Sequence, residues 1–186
     1  MNGKKYTFLS QPRRVVEDRR FVVGKGRYIA DYDRAEMAHV ALLPCHLPAA
    51  TIDDIDASAA FAMPGVIDVV TGAELAAAIG PLMNGLDTPN VRRYPLAVGQ
   101  VRYAGEWVCA VIAESRAVAE DAAEKVRLQT TALPFVLDPE QALQEDSPPV
   151  HPDHQSNVLL DKQFVWGPVD DDFAKADHQL SFSVVW

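Results

Sequence analysis

The side chains able to do chemistry are few, and most stand apart. Cys45 is next to His46, the two residue types a thiolate nucleophile and its base require. Neighbours on an extended chain point to opposite sides, so the pair is read as unassembled. Cys109 lies inside the apolar run Trp107 to Ala113. Burial raises a thiol's pKa, so this cysteine is read as inert. Glu106 sits between Gly105 and Trp107 at the head of the same run, where a general base could be held. An ion pair with Arg102 is the simpler use. His151-Pro152-Asp153-His154 gathers two imidazoles and a carboxylate. It has no third neighbouring ligand, and its proline-rich setting offers no rigid presentation for a metal. His39 and His46 flank an apolar strand and are read as packed or interfacial. His178 follows Ala176-Asp177 and is read as capping a helix end. Gly24-Lys25-Gly26-Arg27 suggests a phosphate cradle. It lacks the spacing of a Walker loop, the third glycine of a dinucleotide fingerprint and a following helix start, so a glycine turn is preferred. No Ser–His–Asp order or nucleophile elbow is present. The sequence therefore assigns no catalytic, cofactor-binding or metal-binding residue.

The elements that must position these residues belong to a globular chain. It has 186 residues, 48% hydrophobic and 23% charged, the balance of one ordinary domain. No apolar run approaches the roughly 18 residues of a spanning helix, and no apolar h-region follows the charged start, so no secretory leader is expected. Two cysteines are too few for a disulfide scaffold, a four-cysteine zinc site or an iron–sulfur cluster ligated by this chain alone. A free thiol pair fits a reducing cytoplasm. The net charge of -9 hides an asymmetry: residues 1–34 carry nine of the 17 basic residues and sum to +5, the remainder to -14. No aromatic ladder for stacking bases accompanies the arginines, which argues against nucleic acid. The basic arm is expected to lie along an acidic surface.

Past the arm, Phe21 to Asp31 has two glycines in a turn with β-prone flanks. Met37 to Leu43 reads as a buried strand stopped by Pro44, and Thr51 to Ile55 as a short one. Asp56 is expected to cap a helix over Ala57 to Met63, ended by Pro64-Gly65. Val66 to Val70 is a strand, and Thr71-Gly72-Ala73-Glu74 a capping box opening a helix with Leu75 and Ile79. Residues 80–100 form a long glycine- and proline-rich loop, the kind that is functional or interfacial. Val101 to Ala113 returns as a hairpin-like pair around Gly105. Ser115 caps a helix predicted to run to Leu128, with Val118, Ala122 and Val126 on one face. Leu133 to Leu137 is the next strand, and Asp138-Pro139-Glu140 starts another helix. Glu145 to Asn157 reads as an exposed linker. Strands are then predicted over Asn157 to Trp166 and Leu180 to Trp186, with an acidic helix over Asp170 to Ala176 between them.

The order of these segments resembles a known module. Gly24 to Asp31, Ile55 to Ala60, Met63-Pro64-Gly65-Val66, Val69-Val70-Thr71-Gly72, Val101-Arg102-Tyr103-Ala104-Gly105-Glu106 and Leu133 to Val136 with Asp138 to Leu143 are similar to the opening of the large subunit of molybdenum hydroxylases. This is the xanthine dehydrogenase, aldehyde oxidase and carbon monoxide dehydrogenase family. The match runs in register from about residue 14 to 186. Two positions depart from it: Leu43-Pro44-Cys45-His46-Leu47-Pro48 keeps only part of the family's Ser-Pro-His-Ala-His, and Trp107 stands where proline is frequent. Both bear on subfamily and substrate rather than on fold.

The resemblance implies an α/β (α+β) hammerhead domain with a mixed sheet and flanking helices over 35–144. A basic N-terminal arm covers 1–34, and 145–186 is a linker and extended start of the molybdopterin-binding region. It places the pterin-holding residues and the glutamate base in domains that follow, so no cofactor is expected on this chain alone. The assembled enzyme is expected to carry molybdopterin (the cytosine dinucleotide form in bacteria), iron–sulfur clusters and FAD. The expected partners are a molybdopterin-binding chain or domain, an iron–sulfur subunit and an FAD subunit. Nucleic acid and a membrane span are not among them, and the expected location is cytoplasmic. A stand-alone, non-enzymatic interaction module reusing the same fold is the alternative.

Overall fold

The computed structural model describes residues 13–82, 91–154 and 156–184. Six strands form two three-stranded sheets: β1 (His39–Pro44), β2 (Ala50–Asp56), β3 (Val66–Thr71), β4 (Gln100–Val101), β5 (Trp107–Ala113) and β6 (Arg127–Ala132). One sheet has the order β1-β5-β3 and the other β4-β2-β6. Every pairing is antiparallel, so the strands make two separate sheets where a single mixed one was expected. The mixed helix-and-sheet class itself holds.

β5 is the centre of the molecule because it is apolar on both faces. Cys109, Val111 and Ala113 are fully buried on one side, and Val108 on the other. A strand that must be covered twice takes the middle of its sheet and joins two cores. Cys109 and Val111 pack with Val69, Ala60, Ala122, Ala123 and Val126. Val108 packs with Cys45, Ala50, Ala97 and Val101 beside the second sheet. The first core is closed by α4 (Arg116–Ala123), whose buried residues Ala119, Ala122 and Ala123 are all small. Small side chains let the helix axis come close to the sheet.

The helix starts follow their side-chain signals. Thr71 Oγ1 accepts from Glu74 N–H at 3.3 Å, and Glu74 Oε2 accepts from Thr71 N–H at 2.8 Å, closing the predicted box at α3 (Gly72–Ile79). Ser115 Oγ accepts from Val118 N–H at 3.3 Å. Asp138 Oδ1 accepts from Glu140 and Gln141 N–H at 2.7 and 2.9 Å, with Pro139 in the first turn of α5 (Pro139–Ala142).

Several expectations change. The stretch 101–113 is no hairpin: β4 pairs with β2, and β5 pairs with β1 and β3 in the other sheet. Gly105, at φ 92°, turns the chain between the sheets. The helix from Ser115 stops at Ala123, and Arg127–Leu128 open β6, because their backbone is needed to pair with Ile55 and Asp56. Leu133 to Leu137 is therefore extended chain past a strand that has already ended, tied once through Leu133 N–H to Ala49 O at 2.9 Å. Asp56 caps its neighbour's N–H (Ser58, 3.0 Å), but the helix α2 (Ser58–Phe61) is a single turn with Ala57 at its start. Phe21–Val22 end a short helix α1 (Asp18–Val22) rather than lying in a β-prone flank, and Ile29–Asp31 are a 3-10 turn. The rings of Phe21 and Tyr28 stack at 6.0 Å, folding this part of the arm on itself.

Residues 157–166 and 180–184 carry no strand. A strand needs a partner for its N–H and C=O groups, and no described segment offers an edge to them. Phe164, Trp166, Leu180 and Phe182 stay exposed. Between them α6 covers Val169–Ala174 with Pro168 at its start and no side-chain cap. Met1 to Pro12, residues 83–90 and Val185–Trp186 of the predicted arm, loop and last strand lie outside the described residues.

Candidate functional site

Several polar side chains gather where three irregular segments meet. The chain from Val91 to Gly99 forms one wall, the turn Arg102 to Glu106 forms the floor, and Val150–His151 of the linker forms the other wall. Each wall is anchored locally. Leu82 N–H donates to Arg93 O at 2.8 Å, and Ala97 N–H donates to Trp107 O at 2.7 Å. The floor is fixed to the core end of β1: Cys45 N–H donates to Glu106 O at 2.9 Å, and Gly105 N–H to Cys45 O at 2.7 Å. On the linker side Asn157 Nδ2 donates to Ala142 O and Pro148 O (3.1 and 3.2 Å), while its Oδ1 accepts from Val150 N–H at 2.9 Å. One asparagine thus crosslinks a segment expected to be a loose linker.

These segments enclose a cleft of about 450 Å³. Glu106 is 14% exposed and faces Arg102, 22% exposed, at 3.9 Å between Oε1 and Nη1. Its other oxygen accepts from Arg102 N–H at 2.5 Å. Burial pushes the Glu106 carboxyl above its usual range, against the pull of Arg102. His151 is held below the usual imidazole range, first by burial and then by the positive charge of Arg102. The Arg102 guanidinium donates from Nη1 to Gln100 O at 3.2 Å, and its buried Nε has no hydrogen-bond partner.

The structure thus brings Glu106, Arg102 and His151 together, with Asp153 and His154 beside His151 in an adjoining hollow, and leaves the remaining candidates apart. The expected Arg102–Glu106 pair is present. Cys45 is buried and His46 exposed, on opposite sides of the chain as the extended geometry requires. Cys109 is fully buried and its thiol is pushed up to about 11 by burial. His39 is partly covered on β1, and His178 lies exposed four residues beyond α6. Gly24 to Arg27 follows α1 as an exposed turn. Among the described residues no three His, Cys, Asp or Glu side chains gather as a metal would need. Arg92, Arg93, Tyr94 and Tyr103 also line the cleft and were not singled out from sequence. For Arg92, Arg93 and Tyr94 the sequence signal is the length of the 80–100 loop.

Two separate three-stranded antiparallel sheets, with β5 of one buried on both faces, helices outside and long irregular connections make up the architecture. Residues 23–134 match the family model described as "Aldehyde oxidase and xanthine dehydrogenase, a/b hammerhead domain", and the chain belongs to that family. It is 36% identical over 168 residues to the nicotine 6-hydroxylase large subunit of Paenarthrobacter nicotinovorans, covering 89% of this chain and 20% of the relative. It is 36% identical over 164 residues to the carbon monoxide dehydrogenase large chain of Hydrogenophaga pseudoflava, covering 83% and 20%. Among solved structures, a Cu,Mo-CO dehydrogenase superposes with a TM-score of 0.72 at 30% identity, covering 89% of this chain and 22% of that one. The quinoline 2-oxidoreductase of Pseudomonas putida 86 superposes at 0.65 with 38% identity, covering 71% and 17%. The chain spans about a fifth of the length of these relatives.

Proposed function

We propose that this chain is the hammerhead part of the large subunit of a molybdenum-dependent hydroxylase or dehydrogenase. The assembled enzyme would oxidise an aldehyde, an N-heterocycle or a related electron-poor carbon with oxygen from water. The observation that carries this reading is the contrast between a closed centre and bare flanks. The two cores around β5 are packed, whereas Phe164, Trp166, Leu180 and Phe182 are 75%, 81%, 92% and 85% exposed. Large apolar side chains left bare in this way support a docking role for the segment. The proposed division is a basic arm (1–34), the hammerhead (35–144) and a segment (145–186) that leads into the molybdopterin-binding region. The chain's own work is structural: the hammerhead holds its neighbours in place through the arm, the 80–100 loop and the exposed terminal segment.

An iron–sulfur cluster, one cofactor this reading implies, does not fit the described residues. An iron–sulfur cluster takes four thiolates. This chain has two, buried in different cores and with Cys109 strongly disfavoured as a thiolate. The clusters are therefore assigned to partner chains or domains of a cytoplasmic complex; the proposal places the molybdopterin and FAD there too, following the family resemblance, and assigns no chemical step to residues of this chain. The experiment is recovery of the native complex from the source cell with a tagged copy of this chain. Molybdenum, iron and flavin should co-purify in fixed ratio. A colourless chain recovered alone, soluble and monomeric, would instead favour a stand-alone interaction module.

A further inference from the structure

The cleft between 91–99, 102–106 and 150–151 gathers arginines in an acidic chain. Arg92 and Arg102 line it beside the Glu106 carboxylate, in a chain whose formal charge is -9. A smaller hollow of about 170 Å³ adjoins it, shares Arg92, Arg102 and His151, and adds Asp153 and His154. Convergent cations with partly apolar walls are the usual composition of a small-ligand site, and the volume lies in the range such sites occupy.

Arg102 carries the specific signal. Its Nε is shut off from water and has no acceptor. A buried donor left unpaired costs free energy that an acceptor would recover. A carboxylate in the cleft can draw the guanidinium outward and accept from it in the two-toothed manner that suits its fork. Arg92 is exposed on the facing wall. Glu106 sets the limit on charge: its carboxylate, 3.9 Å from the same guanidinium, opposes a dianion. Leu96, Ala97, Val98 and Val150, with Tyr94 and Tyr103, supply apolar and aromatic walls. A dry cavity of about 150 Å³ already accommodates benzene, so a ring fits with room to spare.

We propose that this cleft binds a monocarboxylate bearing a compact aromatic or aliphatic body, with Arg102 and Arg92 taking the carboxylate. The proposal does not rest on the large-subunit reading.

The test is a titration of the isotope-labelled full chain at low ionic strength, followed through backbone amide signals. The probes are benzoate, its neutral isostere benzamide, and inorganic phosphate. Benzoate should saturate and shift the amides of Arg102, Tyr103 and Glu106. Loss of one charge-assisted contact corresponds to roughly tenfold in affinity. Benzamide should therefore bind at least that much more weakly, as should benzoate to Arg92→Gln, whose exposed position leaves folding intact. Arg102→Lys, which keeps the charge but loses the fork, should also weaken binding. Equal binding of benzamide and benzoate would reduce the cleft to an apolar slot. Phosphate binding more tightly than benzoate, an unchanged Arg92→Gln, or no saturation below about 10 mM would each overturn the proposal. None of these outcomes touches the co-purification test above.

Discussion

Gly72 offers a test in which two readings differ in sign. It is the first residue of α3, directly after the Thr71 cap, and it is buried. A methyl group there would fall far inside contact with the carbonyl oxygen of Ala97. It would also lie 2.8 Å from that carbonyl carbon and 3.2 Å from Leu96 O. All three are backbone atoms, and Ala97 is held in place by its N–H bond to Trp107 O at 2.7 Å. Neither wall can give without pulling the 91–99 segment off β5. On helix propensity alone Gly72→Ala stabilises by up to about 1 kcal/mol. Forcing a methyl into packed surroundings costs about 1–3 kcal/mol where side chains can adjust; with fixed backbone we expect about 3 kcal/mol or more. Urea unfolding followed by circular dichroism measures the difference. With a slope of about 2 kcal/mol per molar, the midpoint should fall by about 1.5 M. Ala97→Gly should not rescue it, because the obstacle is the carbonyl and not the side chain. A midpoint at or above the wild-type value, or rescue by Ala97→Gly, would refute the argument and with it the wall of the cleft.

Glu106 makes a pH-dependent contribution of unusual sign. Its folded-state pKa is raised, so the native state binds a proton before the unfolded chain does, and stability from this group grows as pH falls through its folded pKa. Asp53, Asp56 and Glu74 have lowered values and act oppositely, losing stability as pH falls through theirs. Comparing Glu106→Gln with wild type from neutral pH downwards isolates the first effect: wild type should gain on the variant, and parallel profiles would disprove it. Asp138→Ala removes the acceptor for two N–H groups and should cost about 1 kcal/mol in urea unfolding; a neutral result would show that α5 does not contribute to the cooperative fold. Cys45 and Cys109 are both buried, so iodoacetamide should label neither at an appreciable rate until urea unfolds the chain; rapid labelling of native protein would contradict the packing around β5.

What the sequence could determine was local. The Thr71–Glu74 box, the Ser115 and Asp138 caps and the apolar stretch of β5 are short-range patterns, since a cap or an alternation is decided within a few residues. The ordered run of six segment motifs was enough to reveal the family. What lay beyond the sequence depended on pairing between distant segments. Trp107 to Ala113 reads as a buried strand, but nothing in it says that Val101 belongs to another sheet. Arg127 and Leu128 continue a helical pattern until β2 claims their backbone. Leu180 to Val184 is as β-prone as any segment here, yet forms no strand, because propensity cannot replace a partner edge. The cleft is the same case. Arg92, Arg102 and His151 are spread over 60 positions of the chain, and only the close approach of Gly72 to Ala97 and the crosslink through Asn157 bring them to one wall, floor and opposite wall. Two cysteines told how many thiolates the chain could offer; the tertiary structure alone put them in separate cores.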